Sequence, residues 1–330
     1  MSMYLTAALN LYQCSASSKS SGLEKTGSRV VYDSFFGPWQ TDDPPDDEIS
    51  GLLLPDPGTG SSRAPPARRF VVGRYELRER LAQGGQAIVH RAWDPQLQRE
   101  VVLKVSRRPL GSGTASCCRT AQEGAILAQL DDPHIVRVLD FGMHHGYPYL
   151  VLERICGTTL REAFAHRPAS TSEARQILTQ VATAVAAAHR NGILHLDLKP
   201  ENVMIDSQGT CTLIDFGMSW LLNKKQGPRL TFAVGTRNYM APEQRQGETE
   251  LWCPATDVFG LGCLLHFLKT GSPPGSEPFS PKDGMFPIRE SVPLPFLQRS
   301  LTNIGRKALS PEIENRYGDA AEFLQALRWW

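Results

Sequence analysis

From residue 75 onward, apolar positions first arrive in short runs, rich in β-branched and aromatic side chains and separated by charged or turn-forming stretches. The pattern predicts strands at 75–81, 88–93 and 100–105, with a tight turn at Gly84-Gly85 after the first, and two more at 135–141 and 147–152. Between these two groups the spacing changes. Ile126, Leu127 and Leu130 recur at helical intervals and predict a helix over 118–130. Beyond residue 153 the helical period takes over. Ile177, Leu178, Val181, Val185 and Ala188 line one face of a predicted helix at 171–190, with Thr171-Ser172-Glu173 near its start. Further helices are predicted at 257–268, 301–309 and 319–329. A five-stranded part with one helix, followed by a mainly helical part, reads as an α+β architecture.

Residues 1–70 follow neither period. Positions 15–21 are rich in serine, Asp42-Asp43-Pro44-Pro45-Asp46-Asp47-Glu48 is acidic and broken by proline, and 61–69 turns basic with two more prolines. Such a composition buries too little apolar surface to offset the entropy of ordering, so 1–70 is expected to be a disordered arm ahead of a globular domain at 71–330. Val30-Val31-Tyr32 and Phe35-Phe36 are the places in it suited to a small docking element. Opposite charges at 42–56 and 63–80 offer a way to fold the arm onto the domain, though a solvated linker is the simpler reading. No repeat with a period of 20–50 residues is visible. With the last predicted helix at the very end, no C-terminal sensor domain is expected.

Composition narrows the setting. Hydrophobic content of 41% over 330 residues supports a sizeable core, and a net charge of +1 gives no electrostatic argument for a nucleic-acid partner. Seven cysteines without a CxxC pair read as reduced thiols in a cytosolic protein, with Cys117-Cys118 as the one place where a redox role deserves weighing. No apolar run reaches the roughly 18 residues of a membrane span, and the N-terminus lacks the basic region of a signal peptide. The expectation is a cytoplasmic protein with no membrane segment.

The chemistry concentrates in His195-Leu196-Asp197-Leu198-Lys199-Pro200-Glu201-Asn202, followed by Asp215-Phe216-Gly217 and Ala241-Pro242-Glu243. Phosphoryl transfer needs a carboxylate beside the attacking hydroxyl, a cation on the moving phosphate, and oxygen ligands for Mg²⁺. Asp197, Lys199, Asn202 and Asp215 supply these residue types within one short stretch. An Asp-x-x-x-x-Asn pair alone would be read as a turn or a helix cap; with Lys199 and Asp215-Phe216-Gly217 beside it, the chemical reading prevails.

These runs resemble the catalytic and activation segments of the eukaryotic-like protein kinases, most closely the bacterial Ser/Thr kinases. The resemblance spans roughly 75–328 and implies the bilobal kinase fold, with a five-stranded antiparallel N-lobe at 71–153 and a mainly helical C-lobe at 157–330. It implies Asp197 as catalytic base, Lys199 as the cation on the γ-phosphate, and Asn202 with Asp215 as Mg²⁺ ligands. Upstream, Val101-Val102-Leu103-Lys104 looks like the strand lysine motif, so Lys104 would grip the α- and β-phosphates of ATP and pair with Glu123. The glycine-rich loop would run through Leu81, Ala82, Gln83, Gly84, Gly85 and Val89. Leu152 would be the gatekeeper beside the adenine, with the Glu153 carbonyl and Ile155 amide on the base edge. Glu243 is expected to pair with Arg316, Asp257 to brace the catalytic loop, and Thr236 to hydrogen-bond Asp197 and Lys199.

Four positions depart from the family pattern. Ala82 and Ala87 stand where the flanking glycines of the loop belong, leaving Gly84 alone and suggesting a stiffer loop with weaker nucleotide affinity. Leu196 takes the place of the arginine that receives a phosphorylated activation loop, which implies activity without that switch. Arg237 replaces the proline common after Gly-Thr and changes the substrate-facing surface. The resemblance implies a protein Ser/Thr kinase using ATP and Mg²⁺, with a protein Ser/Thr hydroxyl as acceptor and Thr231, Thr236 and Ser219 as candidates for self-phosphorylation. A pseudokinase scaffold is the main alternative. A small-molecule phosphotransferase is a distant one, since it would not be expected to carry Gly235-Thr236, Ala241-Pro242-Glu243 and Arg316 together.

Overall fold

The computed structural model describes residues 70–109, 115–222, 236–274 and 296–328; of 115–118 and 296–300 it describes only the helical backbone. The arm at 1–69, Thr231, Gly235, Trp329 and the Cys117-Cys118 side chains lie outside the described residues. Contacts divide the chain into two units. One comprises residues through Ala128 together with Arg137–Arg154; the other comprises Gln129–Val136 and Ile155–Trp330.

The first unit is an antiparallel sheet carrying one helix. Its strands are β1 (Val71–Val72), β2 (Tyr75–Gln83), β3 (Ala87–Asp94), β4 (Arg99–Ser106), β5 (Val138–His144) and β6 (Tyr147–Glu153), ordered β1-β2-β3-β4-β6-β5. Five strands were expected from the sequence and six are found, because Val71–Val72 adds a two-residue edge too short to show a period. The strand expected from residue 135 begins at Val138; Ile135 makes a single parallel bridge to Leu213 within the second unit. One face of the sheet buries Val72, Tyr75, Leu77, Ala92, Val101, Leu103, Tyr149 and Val151. Each large apolar side chain so buried contributes about 1.5–3 kcal/mol relative to exposure. Helix α1 spans Ala115–Leu127, one turn earlier than its apolar spacing suggests, and packs on β4 and β6. Gly124 lets it come close to the sheet, since a Cβ there would meet Leu150 Cδ1 at 2.9 Å.

The second unit is mainly helical: α2 (Leu160–Phe164), α3 (Thr171–Arg190), α4 (Pro242–Gln246), α5 (Pro254–Thr270), α6 (Phe296–Ala308) and α7 (Ala320–Arg328). Helix α3 covers the predicted span in full. Its cap is Ser170, which accepts from the Glu173 N–H while the Glu173 carboxylate accepts from the Ser170 N–H. That reciprocal box sits one residue ahead of the start signal read from the sequence. Helix α5 is apolar on nearly every side, and Val258, Phe259, Leu261, Leu264, Phe267 and Leu268 are all buried, as befits a helix enclosed by its neighbours α3, α6 and α7. Five short strands complete the unit: β7 (Gly157–Thr159), β8 (Ile193–Leu194), β9 (Val203–Asp206), β10 (Cys211–Leu213) and β11 (Trp220–Leu221). They form a β10-β9-β7 sheet and a β11-β8 pair that pin both ends of the segment 195–202.

Candidate active site

The segment between β8 and β9 is a loop whose backbone is held by side chains from distant helices. Asp257, buried in α5, accepts the Leu196 N–H through Oδ1 at 2.8 Å and the His195 N–H through Oδ2 at 2.8 Å. His189 of α3 reaches the same carboxylate at 2.9 Å. Burial alone would push this carboxyl up; the His189 contact and the two backbone bonds hold it below the ordinary range, so it stays charged. Gln244 of α4 donates to the Leu196 carbonyl at 2.8 Å. Leu196 is thus gripped at both backbone groups, and its φ of 64° lies in the left-handed region that L side chains seldom occupy. Its side chain is buried with Leu194 and Trp252, against Met218 and Trp220. The two indoles meet edge-to-face at 5.5 Å. Where the resemblance would put a phosphate-binding arginine, this chain therefore builds an apolar cluster.

The next residue, Asp197, receives four hydrogen bonds on its carboxylate. Thr236 donates its N–H to Oδ1 at 2.8 Å and its hydroxyl to Oδ1 at 3.1 Å. Lys199 Nζ contacts Oδ2 at 2.6 Å, and Asn202 Nδ2 donates to Oδ2 at 3.1 Å. A carboxylate offers about four lone-pair sites, so this one is saturated and any further donor must replace one partner. The two contacts at 3.1 Å are the longest. Lys199 also donates to Thr236 Oγ1 at 2.8 Å, closing the triangle expected from the sequence. The close approach of α5 sets the loop's height, because a Cβ on Gly260 would meet Leu198 Cβ at 2.9 Å.

Asn202 and Asp215 sit side by side because Ile214 N–H donates to the Asn202 carbonyl at 2.9 Å. The Asn202 amide nitrogen is spent on Asp197, on its carbonyl at 2.9 Å as well as its carboxylate, which leaves Oδ1 as the atom a metal could use. Asp215 accepts the Gly217 N–H through Oδ1 at 3.0 Å. One carboxylate and one amide oxygen suit Mg²⁺, which commonly takes one or two protein oxygens and fills the rest with phosphates and water. Among the described residues no cluster of three or more His, Cys, Asp or Glu could hold a metal by itself.

In the first unit, Lys104 of β4 and Glu123 of α1 form an ion pair at 2.8 Å, with Glu123 buried and Lys104 mostly so. Val89 and Leu150 are its cross-strand neighbours on either side. Leu81, Ala82, Gln83, Gly84 and Gly85 are all exposed. Ala82 lies in β2 opposite Val89, and Gly84 N–H closes the turn on the Ala87 carbonyl at 3.0 Å. Leu152 is buried in β6, and Glu153 is exposed with its N–H bonded to the Arg137 carbonyl at 2.9 Å. Ile155, half-buried, begins the main stretch of the second unit.

Two further features bear on the candidate residues. Glu243 and Arg316 form a bidentate pair at 2.7 and 2.9 Å, fully buried, and the other guanidinium bonds go to the Ser310, Pro311 and Ala255 carbonyls. The pair anchors α4, whose Gln244 holds Leu196. Arg161 of α2 contacts Glu201 at 2.8 Å and donates to the Tyr239 hydroxyl at 3.1 Å. Sequence reasoning missed His189, Gln244 and this arginine. The partners they hold at the site lie 40 to 78 residues away, and no local pattern marks them. Of the suggested self-phosphorylation positions, Ser219 is buried and the Thr236 hydroxyl is spent on Asp197 and Lys199.

The protein kinase domain model matches residues 75–314. The chain is similar to the serine/threonine-protein kinase PknB of Mycobacterium leprae, 36% identical over 263 residues that cover 76% of this chain and 42% of that protein. It is similar to the probable serine/threonine-protein kinase PknB of Bifidobacterium longum, at 32% over 268 residues, covering 76% and 39%. To the serine/threonine-protein kinase PrkC of Bacillus subtilis the identity is 31% over 262 residues, covering 78% and 40%. The chain thus spans about two fifths of the length of these relatives. No helix among the described residues is long and apolar enough to cross a membrane.

Proposed function

The chain belongs to the protein kinase family, in its bacterial Ser/Thr branch, and we propose from that premise that it transfers the γ-phosphoryl of ATP to Ser or Thr hydroxyls of proteins. The observation that carries the reading is the saturated carboxylate of Asp197, tied to Lys199, Asn202 and Thr236 within 3.1 Å. An acceptor hydroxyl takes over one of the long contacts, donates to Asp197, and loses its proton to it as its oxygen bonds the γ-phosphorus and the bond from that phosphorus to the β–γ bridging oxygen breaks, releasing ADP. Lys199 has three N–H donors and uses two on Asp197 and Thr236; the third offsets charge on the γ-phosphate oxygens. Asn202 Oδ1 and Asp215 would hold Mg²⁺, which would neutralise charge on the phosphate oxygens. Lys104, oriented by Glu123, grips the α- and β-phosphates. The exposed 81–85 turn and Val89 cover the nucleotide, with Leu152, Glu153 and Ile155 on its base.

The apolar packing of Leu196, Trp220 and Trp252 supports a catalytic loop that reaches its working shape without a phosphate on the activation segment. Transfer of labelled γ-phosphate to a generic protein acceptor, with and without Mg²⁺, tests the proposal beside an Asp197→Asn variant. Mg²⁺-dependent, acid-stable phosphoserine or phosphothreonine that vanishes in the variant is the expected result. Nucleotide binding without transfer by either protein would instead make the chain a scaffold.

A further inference from the structure

Around Asp197 the charges of the described residues can be paired off. Lys199 is matched by Asp197, and Arg161 by Glu201. Arg161 also bonds Tyr239, the last residue of the single 3-10 turn Arg237–Tyr239 that directly follows Thr236. Arg237 opens this turn. It is exposed, and no ion pair or side-chain hydrogen bond engages it among the described residues. Of the three cations on this ledge, Arg237 alone has no carboxylate partner among the described residues. Its neighbour Thr236 touches the same carboxylate that receives the acceptor hydroxyl. Consecutive Cα atoms are about 3.8 Å apart, so residues one or two places from the acceptor pass within reach of the guanidinium.

Resting on the kinase reading, we infer that Arg237 is a specificity residue: it selects protein substrates with an anionic side chain, carboxylate or phosphate, within two residues of the acceptor Ser or Thr. A planar guanidinium with five donors suits both anions. A lysine at the same place in the substrate meets a like charge instead, and the Glu201 carboxylate is already taken by Arg161. Arg237 plays no part in the chemical step, so the selection falls on KM more than on kcat.

The test uses the full chain and a set of Thr-containing peptides that differ at one position, placed in turn at each of the two sites on either side of the acceptor. That position carries Glu, phosphoserine, Ala or Lys. At one or more sites, Glu is expected to exceed Lys by about fivefold in kcat/KM, the scale of exposed opposite-charge pairs against like-charge ones. Phosphoserine should exceed Glu if the physiological anion is a phosphate and match it if it is a carboxylate. Arg237→Glu should invert the order of Glu and Lys, Arg237→Gln should flatten it, and about 1 M salt, with a screening length near 3 Å, should flatten it in the parent. Fluorescence anisotropy of the same peptides reads the preference without turnover. Equal efficiency across peptides, or a preference that survives Arg237→Glu, overturns the inference and leaves the kinase reading standing. Charge-selective binding with no transfer to any peptide would overturn the kinase reading and leave the surface assignment standing.

Discussion

The two units solve the problem of presenting polar groups in different ways. In the second, nearly every functional side chain is clamped: Asp197 by four hydrogen bonds, Asp257 by three, Arg316 by five. In the first, the candidate nucleotide residues rest on one ion pair and an open turn. A Cβ on Gly85 would meet nothing within 4 Å, one on Gly84 only the Ala87 carbonyl at 3.8 Å, and neither glycine has a left-handed φ. The turn itself does not demand glycine, which is why alanines at 82 and 87 are accommodated, with Ala87 buried. Only something approaching from outside can impose a glycine there. The lesson is that departures from a family pattern weigh differently in the two units: an exposed turn absorbs them, whereas a saturated buried network does not.

That contrast can be pressed with graded substitutions. The largest effect is expected at Asp197→Asn, which removes the proposed base and should cut phosphoryl transfer by about 10²–10⁴-fold, measured by initial rates at saturating ATP. Next comes Glu243→Ala, which strands the buried Arg316 charge and should cost about 3–5 kcal/mol in urea unfolding, with activity falling in step as α4 releases Leu196. A loss below 1 kcal/mol there would show the clamps to be decorative. Glycine-to-alanine pairs then compare the units directly. Gly260→Ala drives a methyl into Leu198 and should destabilise by about 1–3 kcal/mol while lowering kcat. Gly85→Ala should stay within about 0.5 kcal/mol and express itself, if anywhere, in KM for ATP. The smallest effect is a pH dependence shared by both units. Burial lowers the pKa of His90 and His144 in one and His266 in the other, so the folded state binds fewer protons than the unfolded chain. Stability should therefore be full above the unfolded value of about 6.5 and decline as pH falls below it, seen as a drop in thermal midpoint.

What the sequence made legible divides along similar lines. Helix α3 was readable because its apolar period runs unbroken for the whole helix and its ends carry ordinary caps. The main strands of the first unit were readable too, within a few residues, from their β-branched runs. The two-to-four-residue strands β1 and β7–β11 were not, since a segment that short has no period and forms only because its partners are already in place. Within the site, the chemistry-bearing residues sit close together and announce themselves through their types. The residues that hold them, His189, Gln244 and Arg161, lie on helices far along the chain and look like ordinary surface side chains until the fold assembles.

Leu196 carries a consequence for the making of the protein as well as its working. Its left-handed backbone is stabilised by Asp257, 61 residues later, and by Gln244, 48 residues later; Gln244 in turn depends on Arg316 through its helix. On a ribosome the catalytic loop emerges well before any of these. During that interval nothing holds residue 196 in so unfavourable a shape, and the nascent chain relaxes to an ordinary backbone with Asp197 misplaced. Competence arrives only with the last clasp, so a half-made copy exposes the reactive segment to the cell without being able to use it.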